Sequence, residues 1–344
     1  MKKLVSIVAL VLILVPLPPV SADEHAPRQK AVLITGATTG IGRATAEHLA
    51  AAGYFVYAGA RKDADMEALN KIENIMAVRL DVTKQDQVDE AVRLIEDQGR
   101  GLWGLVNNAG VAVFAPLTVA SEADARFMFD VNVFGVLRVT QAFAPIIVES
   151  KGRIVNISSI SGVWSPTIGG MYSASKHALE AMTDALALEL GELGVHVTAV
   201  NPGAFASAGF VKDCTQLQGD VDADWGSLED YRQQRIESCK KEDKSTAADP
   251  IGVAVTIEQA LFEDRPRDHY LVASQLGAGQ TIAWAVVEML ALNMGHDQSY
   301  TRDEIVQFVD MMWPYMIGEK SWNSLEEEWE FHDSWVERRV PDVD

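Results

Sequence analysis

The chain has 344 residues, 48% of them hydrophobic, which suits one large α/β domain or two modest ones with an ample core. Its formal net charge of −20 argues against nucleic acid as a partner, because phosphate backbones are bound by basic faces. The acidity is uneven and gathers in 213–248 and in the tail "SLEEEWEFHDSWVERRVPDVD".

In chain order, the first segment reads as a targeting element. "MKK" is a short basic start, "LVSIVALVLILV" an apolar run, and "PLPPVSA" ends in small residues, so residues 1–22 have the layout of a signal peptide cleaved after Ala22. The alternative is a retained N-terminal anchor through residues 4–20, although prolines 16, 18 and 19 spoil its last turn. In either case Lys2 and Lys3 hold the N-terminus in the cytoplasm, so the chain is expected to be exported or membrane-anchored, facing away from the cytosol.

From residue 30, short apolar runs alternate with helical stretches. "AVLITG" reads as a first strand, and "IGRATAEHLAAAG" as an amphipathic helix stopped by Gly53. "YFVYAGA" and "IMAVRLDV" are strands two and three. "TKQDQVDEAVRLIEDQG" is a helix with Thr83 near its N-cap and Gly99 closing it. "LWGLVNNAG" is strand four, an apolar-periodic helical segment covers 121–149, and "RIVNISS" is strand five. A helix follows to about Gly194, then "VHVTAVNPG" as strand six and "HYLVA" as a seventh. Strands that are apolar throughout and alternate with helices predict a doubly wound, mostly parallel α/β sheet covered on both faces. Segment 204–250 is acidic and long for a connection, and is expected to close over a substrate at the carboxyl edge of the sheet. After residue 275, a helical extension with an acidic tail runs to 344. The expected organisation is therefore 1–22, then a domain over 30–275, then 276–344.

Cys214 and Cys239 are too few for a disulfide scaffold, although outside the cytosol they could pair. No CxxC or HExxH occurs and the histidines are scattered, so no metal is expected. Two stretches carry chemistry. Strand one runs into "TGATTGIG", where Gly36, Gly40 and Gly42 let the backbone turn tightly and approach a pyrophosphate at a helix N-terminus. The spacing is G-x-x-x-G-x-G, a departure from the commoner dinucleotide fingerprint. In "YSASK", Tyr172 and Lys176 stand four apart and share a helix face. A phenol needs about 4 kcal/mol of preference for its anion to act as a base near pH 7. An ammonium one turn away could supply part of it.

Taken in order, "TGATTGIG", "LDV" (80–82), "NNAG" (107–110), Asn132, "ISSISG" (157–162), YSASK and "NPG" (201–203) resemble the short-chain dehydrogenase/reductase family, over roughly residues 30–275. The context of YSASK is similar to members acting on steroids, retinoids and other apolar alcohols. The resemblance implies a Rossmann-type domain and an oxidoreductase that moves hydride between a nicotinamide cofactor and an alcohol or its ketone or aldehyde. It implies Tyr172 as acid/base and Lys176 as its partner and a ribose ligand. Ser159, thirteen residues before Tyr172, would bind the substrate oxygen in preference to Ser158, and Asn132 would hold a water in a proton relay. For the cofactor it implies Gly36, Thr38, Gly40, Ile41 and Gly42 of the loop. Asp81 and Val82, Asn108, Ala109 and Gly110, and Pro202 and Gly203 would join them. Strand two ends "YAGARKD": Gly59 and Ala60 fill the position where an NAD enzyme carries a carboxylate, and Arg61 follows. This favours NADP over NAD, while Thr39 and the nearby Asp63 count against it. The partner would be a small molecule. Membrane association through 4–20 and a homo-oligomer are both compatible with the sequence. The competing readings are a dinucleotide-binding sensor or scaffold without turnover, and epimerisation or dehydration on the same fold.

Overall fold

The structure, a computed structural model, describes residues 29–203, 205, 225–241 and 249–272. The signal peptide or anchor of 1–22, the extension 276–344, most of 204–250, Cys214 and the side chain of Cys239 lie outside the described residues.

Seven strands form one sheet: β1 Ala31–Ile34, β2 Phe55–Ala60, β3 Ile75–Arg79, β4 Gly104–Asn107, β5 Arg153–Ile157, β6 His196–Pro202 and β7 His269–Val272. Their order is β3-β2-β1-β4-β5-β6-β7, and every neighbouring pair is parallel. The helices are α1 Gly40–Ala51, α2 Asp63–Leu69, α3 Gln85–Asp97, α4 Glu122–Phe129, α5 Val136–Ser150, α6 Gly170–Gly191, α7 Glu229–Lys241 and α8 Ile251–Phe262.

Alternate positions of each strand face opposite sides. Val32 and Ile34 of β1 and Val56 and Ala58 of β2 pack with Ala46 and Leu49 of α1 and Ile257 and Leu261 of α8. Ala31, Leu33 and Tyr57 point the other way, into a core with Val88 and Ile95 of α3 and Val139, Phe143 and Ile147 of α5. The strands are therefore apolar at every position because each parity serves a different core. His48 of α1 reaches Glu258 of α8 at 2.6 Å, and Tyr54 stacks on Phe262 with centroids 3.8 Å apart, which ties down the first of these faces.

The predicted strands are all present, and β1, β3, β4 and β5 end earlier than the sequence suggests, where Thr35, Leu80 to Val82, Asn108 to Gly110 and Ser158 leave the ladder as loops. Three boundaries differ from the sequence reading. The helix after β3 starts at Gln85; the Thr83 hydroxyl donates to Asp81 Oδ1 at 2.8 Å and forms the turn before the helix, leaving its cap to Lys84. The YSASK helix stops at Gly191, short of Gly194, whose φ of +82° ends the following turn. The periodic segment 121–149 is two helices joined by a π turn, Asp130–Gly135. Gly135 lets that turn sit on β3's exit loop, since a Cβ there would stand 2.7 Å from Val82 Cγ2. The span Glu122–Ser150 is long and apolar enough to cross a membrane, yet half of its most apolar window is buried inside this domain, so it serves as a core helix.

Candidate active site

The chain order reverses between β1 and β4, whose crossover helices lie on opposite faces of the sheet. A crevice opens there at the carboxyl ends of the strands. It holds a cavity of about 390 Å³. One end is the turn from β1 into α1. Gly36 and Gly40 adopt φ of +66° and +57°, the left-handed region that glycine enters without strain. Gly42 is off the cavity wall. A Cβ on it would fall 2.3 Å from Asn108 Nδ2 and 2.5 Å from Gly36 O, so its bare Cα lets the loop close on the "NNAG" turn. Asn108 fastens that closure, its Nδ2 donating to Thr35 O at 2.9 Å and Gly36 O at 3.1 Å. No acidic side chain stands in the first turn of α1, so the amides at its N-terminus face the cavity unopposed. Thr38, Ile41, Ala109 and Gly110 also line it.

The side of the cavity next to β2 and β3 carries Gly59, Ala60, Arg61, Asp81 and Val82. Ala60 turns its methyl into the core and Gly59 has none, so strand two places no carboxylate there. Arg79 forms an ion pair with Asp63 and donates to Arg61 O at 2.8 Å, drawing Asp63 off the cavity and holding the Arg61 backbone. Burial pushes the Asp81 carboxyl up. Hydrogen bonds from the Thr83 amide and hydroxyl, with the charges of Arg61 and Lys84, outweigh it and hold the group below its ordinary value.

The other end holds Tyr172, Lys176, Ser158 and Ser159. Tyr172 and Lys176 project from the first turns of α6. Ser159 ends β5's exit and caps a short 3-10 turn, Ile160–Gly162, accepting from Ser161 N at 3.1 Å. Burial pushes the Tyr172 phenol above its ordinary value, and a hydrogen bond with the Ser159 hydroxyl pulls the other way. Lys176 is buried at 4% exposure and donates to Ile157 O at 2.8 Å; its Nζ lies 5.9 Å from the Tyr172 ring centroid. Burial lowers it to about 8, with Glu180 opposing. Lys176 thus holds the Ile157 carbonyl with one of its three N–H donors.

Asn132 sits in the π turn, 1% exposed, beneath the cavity. Its Oδ1 accepts from Val111 N at 2.9 Å, and its Nδ2 donates to Val111 O at 2.8 Å and Ser175 Oγ at 3.0 Å. Both Nδ2 protons and one lone pair of Oδ1 are thus taken by protein partners, and Ser175 passes the link on to Tyr172 O at 2.7 Å. Pro202 and Gly203 close the wall at the end of β6.

Sequence reasoning missed the apolar members, notably Val111, Phe127, Val131 and Phe205. Nothing in their local pattern separates a cavity wall from a core. Beside Tyr172, Phe114 lies with ring centroids 5.8 Å apart and packs on a cluster of Ile168, Trp225 and Ile236. Ile168 is a β-branched residue at φ +62°, a strained conformation in the loop that leads into α6.

Comparison with known proteins bears on this geometry. Residues 30–217 match the family model described as short chain dehydrogenase. The chain is 33% identical over 261 residues to D-beta-hydroxybutyrate dehydrogenase, mitochondrial, of Bos taurus, a match spanning 70% of this chain and 76% of that protein. A short-chain dehydrogenase from Streptomyces avermitilis shares the fold, with a TM-score of 0.64 at 24% identity over 86% of this chain and 100% of that one. ElxO with NADP bound is similar at a TM-score of 0.59 and 27% identity, over 73% of this chain and 99% of its own.

Proposed function

The chain belongs to the short-chain dehydrogenase family and is an oxidoreductase of that family, and from that membership we propose that it moves hydride between NADP(H) and an apolar alcohol or its ketone or aldehyde. The observation that carries the reading is the meeting of Tyr172, Lys176 and Ser159 with the glycine turn of α1 in one cavity. The residues present fit a dinucleotide. The open glycine turn and the α1 N-terminus suit a pyrophosphate, and Lys176 suits a ribose.

When bound, the nicotinamide takes or returns the hydride. Tyr172 carries the proton. Held protonated by burial, its phenol is set to donate to a carbonyl oxygen in reduction; in oxidation its anion takes the hydroxyl proton, so charge and protons balance in both directions. Ser159 orients the same substrate oxygen through its hydroxyl. Lys176 favours the phenolate by its charge once further positive charge joins it in the cavity.

The apolar substrate is supported by Phe114, which lies beside Tyr172 and packs on the cluster of Ile168, Trp225 and Ile236. A hydroxy acid, the kind of substrate named for the Bos taurus relative, would want a cation near the phenol. Among the described lining residues the cations are Arg61, at the opposite end, and Lys176, whose ammonium this reading assigns to the Ile157 carbonyl and the ribose. The NADP preference is supported by Arg61 and by the absence of a carboxylate at the end of β2. Oxidation or reduction of a panel of apolar alcohols, ketones and small hydroxy acids, read by nicotinamide absorbance with both cofactors, tests the reading. Cofactor binding with no turnover across the panel would favour the sensor instead. Export or anchoring is proposed on residues 1–22 alone; a soluble cytosolic pool that keeps those residues in a fractionation would overturn it.

A further inference from the structure

Glu180 is a buried carboxylate, 9% exposed, that the reading above leaves unused. It stands one turn after Lys176 on the same face of α6. Its Oε1 accepts from Asn201 Nδ2 at 2.6 Å, and that amide nitrogen also donates to Ser159 O at 3.1 Å. From the outer side His269, at the start of β7, brings Nδ1 to 3.3 Å from Glu180 Oε2 and Nε2 to 3.0 Å from Asp184 Oδ1. Gly162 makes room for the carboxylate: a Cβ there would fall 2.7 Å from Glu180 Oε1 and 2.7 Å from Ser158 Oγ.

A buried carboxylate is expensive unless opposite charge and donors meet it. Here they come from four parts of the fold. Lys176 and Asp184 face it from its own helix and His269 from β7, while β6 offers the neutral Asn201 and the β5 exit the neutral Ser158. Of the other charged groups on elements packed against α6, Asp130 pairs with Arg138, Glu122 with Arg126 and His196 with Asp268. The group therefore touches both ends of the catalytic reading: the backbone of Ser159 through Asn201, and the Lys176 ammonium through its charge.

We propose that Glu180 is a positioning residue of this site, fixing the Ser159 carbonyl through Asn201 and compensating the buried Lys176 ammonium, with His269 closing it from solvent. The inference rests on Lys176 as a cofactor-binding residue. Burial lowers Lys176 to about 8 even with Glu180 opposing, so removing the negative charge makes the ammonium surrender its proton earlier.

The test is NADPH affinity as a function of pH, read by fluorescence, for wild type, Glu180→Gln and Gly162→Ala, with thermal melting to confirm folding. Glu180→Gln keeps the shape and an oxygen acceptor for Asn201. Its high-pH loss of affinity is expected about one pH unit lower than wild type, making binding roughly fivefold weaker at pH 8 and nearly unchanged at pH 6. Gly162→Ala pushes the carboxylate aside and is expected to shift the same midpoint in the same direction by less. A merely structural role would weaken binding equally at all pH values. Folded variants with the wild-type midpoint overturn the proposal, and Gly162→Ala decides alone if Glu180→Gln does not fold. A wild-type protein that binds no nicotinamide dinucleotide at any pH overturns the functional reading itself, and this inference with it.

Discussion

Replacing Arg61 by alanine is the sharpest probe of cofactor choice. Arg61 is the first residue past β2, is exposed, and lines the crevice. Arg79 anchors its carbonyl and pairs with Asp63, so the carboxylate nearest in sequence does not compete for it. A charge-assisted hydrogen bond to a 2′-phosphate contributes about 1.5–3 kcal/mol. Two features of this site reduce that figure. The group is solvated, and its charge is shared with Asp81, whose carboxyl it helps hold below the ordinary value. A loss of about 1–2 kcal/mol follows, which is roughly 5- to 30-fold in Kd for NADPH. NADH, without the phosphate, should change by less than about twofold. Fluorescence titration of both cofactors against wild type and Arg61→Ala measures the two losses separately, and added salt should shrink the difference between them. Equal losses for NADPH and NADH, or tighter wild-type binding of NADH, would refute the assignment of Arg61 and with it the NADP preference.

Tyr172→Phe removes the proton carrier and leaves the rest of the cavity. Turnover should fall below a tenth of wild type while cofactor affinity holds, and a variant above that rate would show that another group moves the proton. Gly42→Ala sets a methyl 2.3 Å from Asn108 Nδ2 and 2.5 Å from a backbone oxygen; we expect about 1–3 kcal/mol of destabilisation and weaker NADPH binding. An unchanged Tm would mean that the loop yields freely. His269→Gln tests the clamp between α6 and β7. The hydrogen bond with Glu180 raises the His269 pKa above 6.5 despite burial. Its stabilisation is therefore complete below about pH 6.5 and lost as pH rises through the higher folded value. The variant should lower Tm more at pH 6 than at pH 9, and an equal drop at both would remove the charge from the account.

The alternation of wholly apolar runs with amphipathic stretches was enough, by itself, to specify a parallel sheet with two covered faces, because only a strand buried on both sides needs apolar residues at both parities. The glycine turn was equally legible, since it follows a strand and opens a helix, and so was the Tyr172–Lys176 pair, whose spacing obeys helix geometry alone. These are local signals, within a few residues of one another in the chain. Tertiary structure decided what depended on remote partners. The resemblance alone suggests a relay role for Asn132; the partners that fix its side chain, Val111 and Ser175 from other elements, are set by the fold. Gly42 reads as part of the cradle, yet its bare Cα is needed by Asn108 some sixty-six positions later. The phenol's proton affinity follows from burial, which no spacing encodes. In sequence Glu180 is one more polar residue in a helix of mixed polarity. It acquires a role only where the sheet order brings Asn201 of β6 and His269 of β7 to its side, because the energy of a buried charge depends on neighbours that the chain supplies from far along its length.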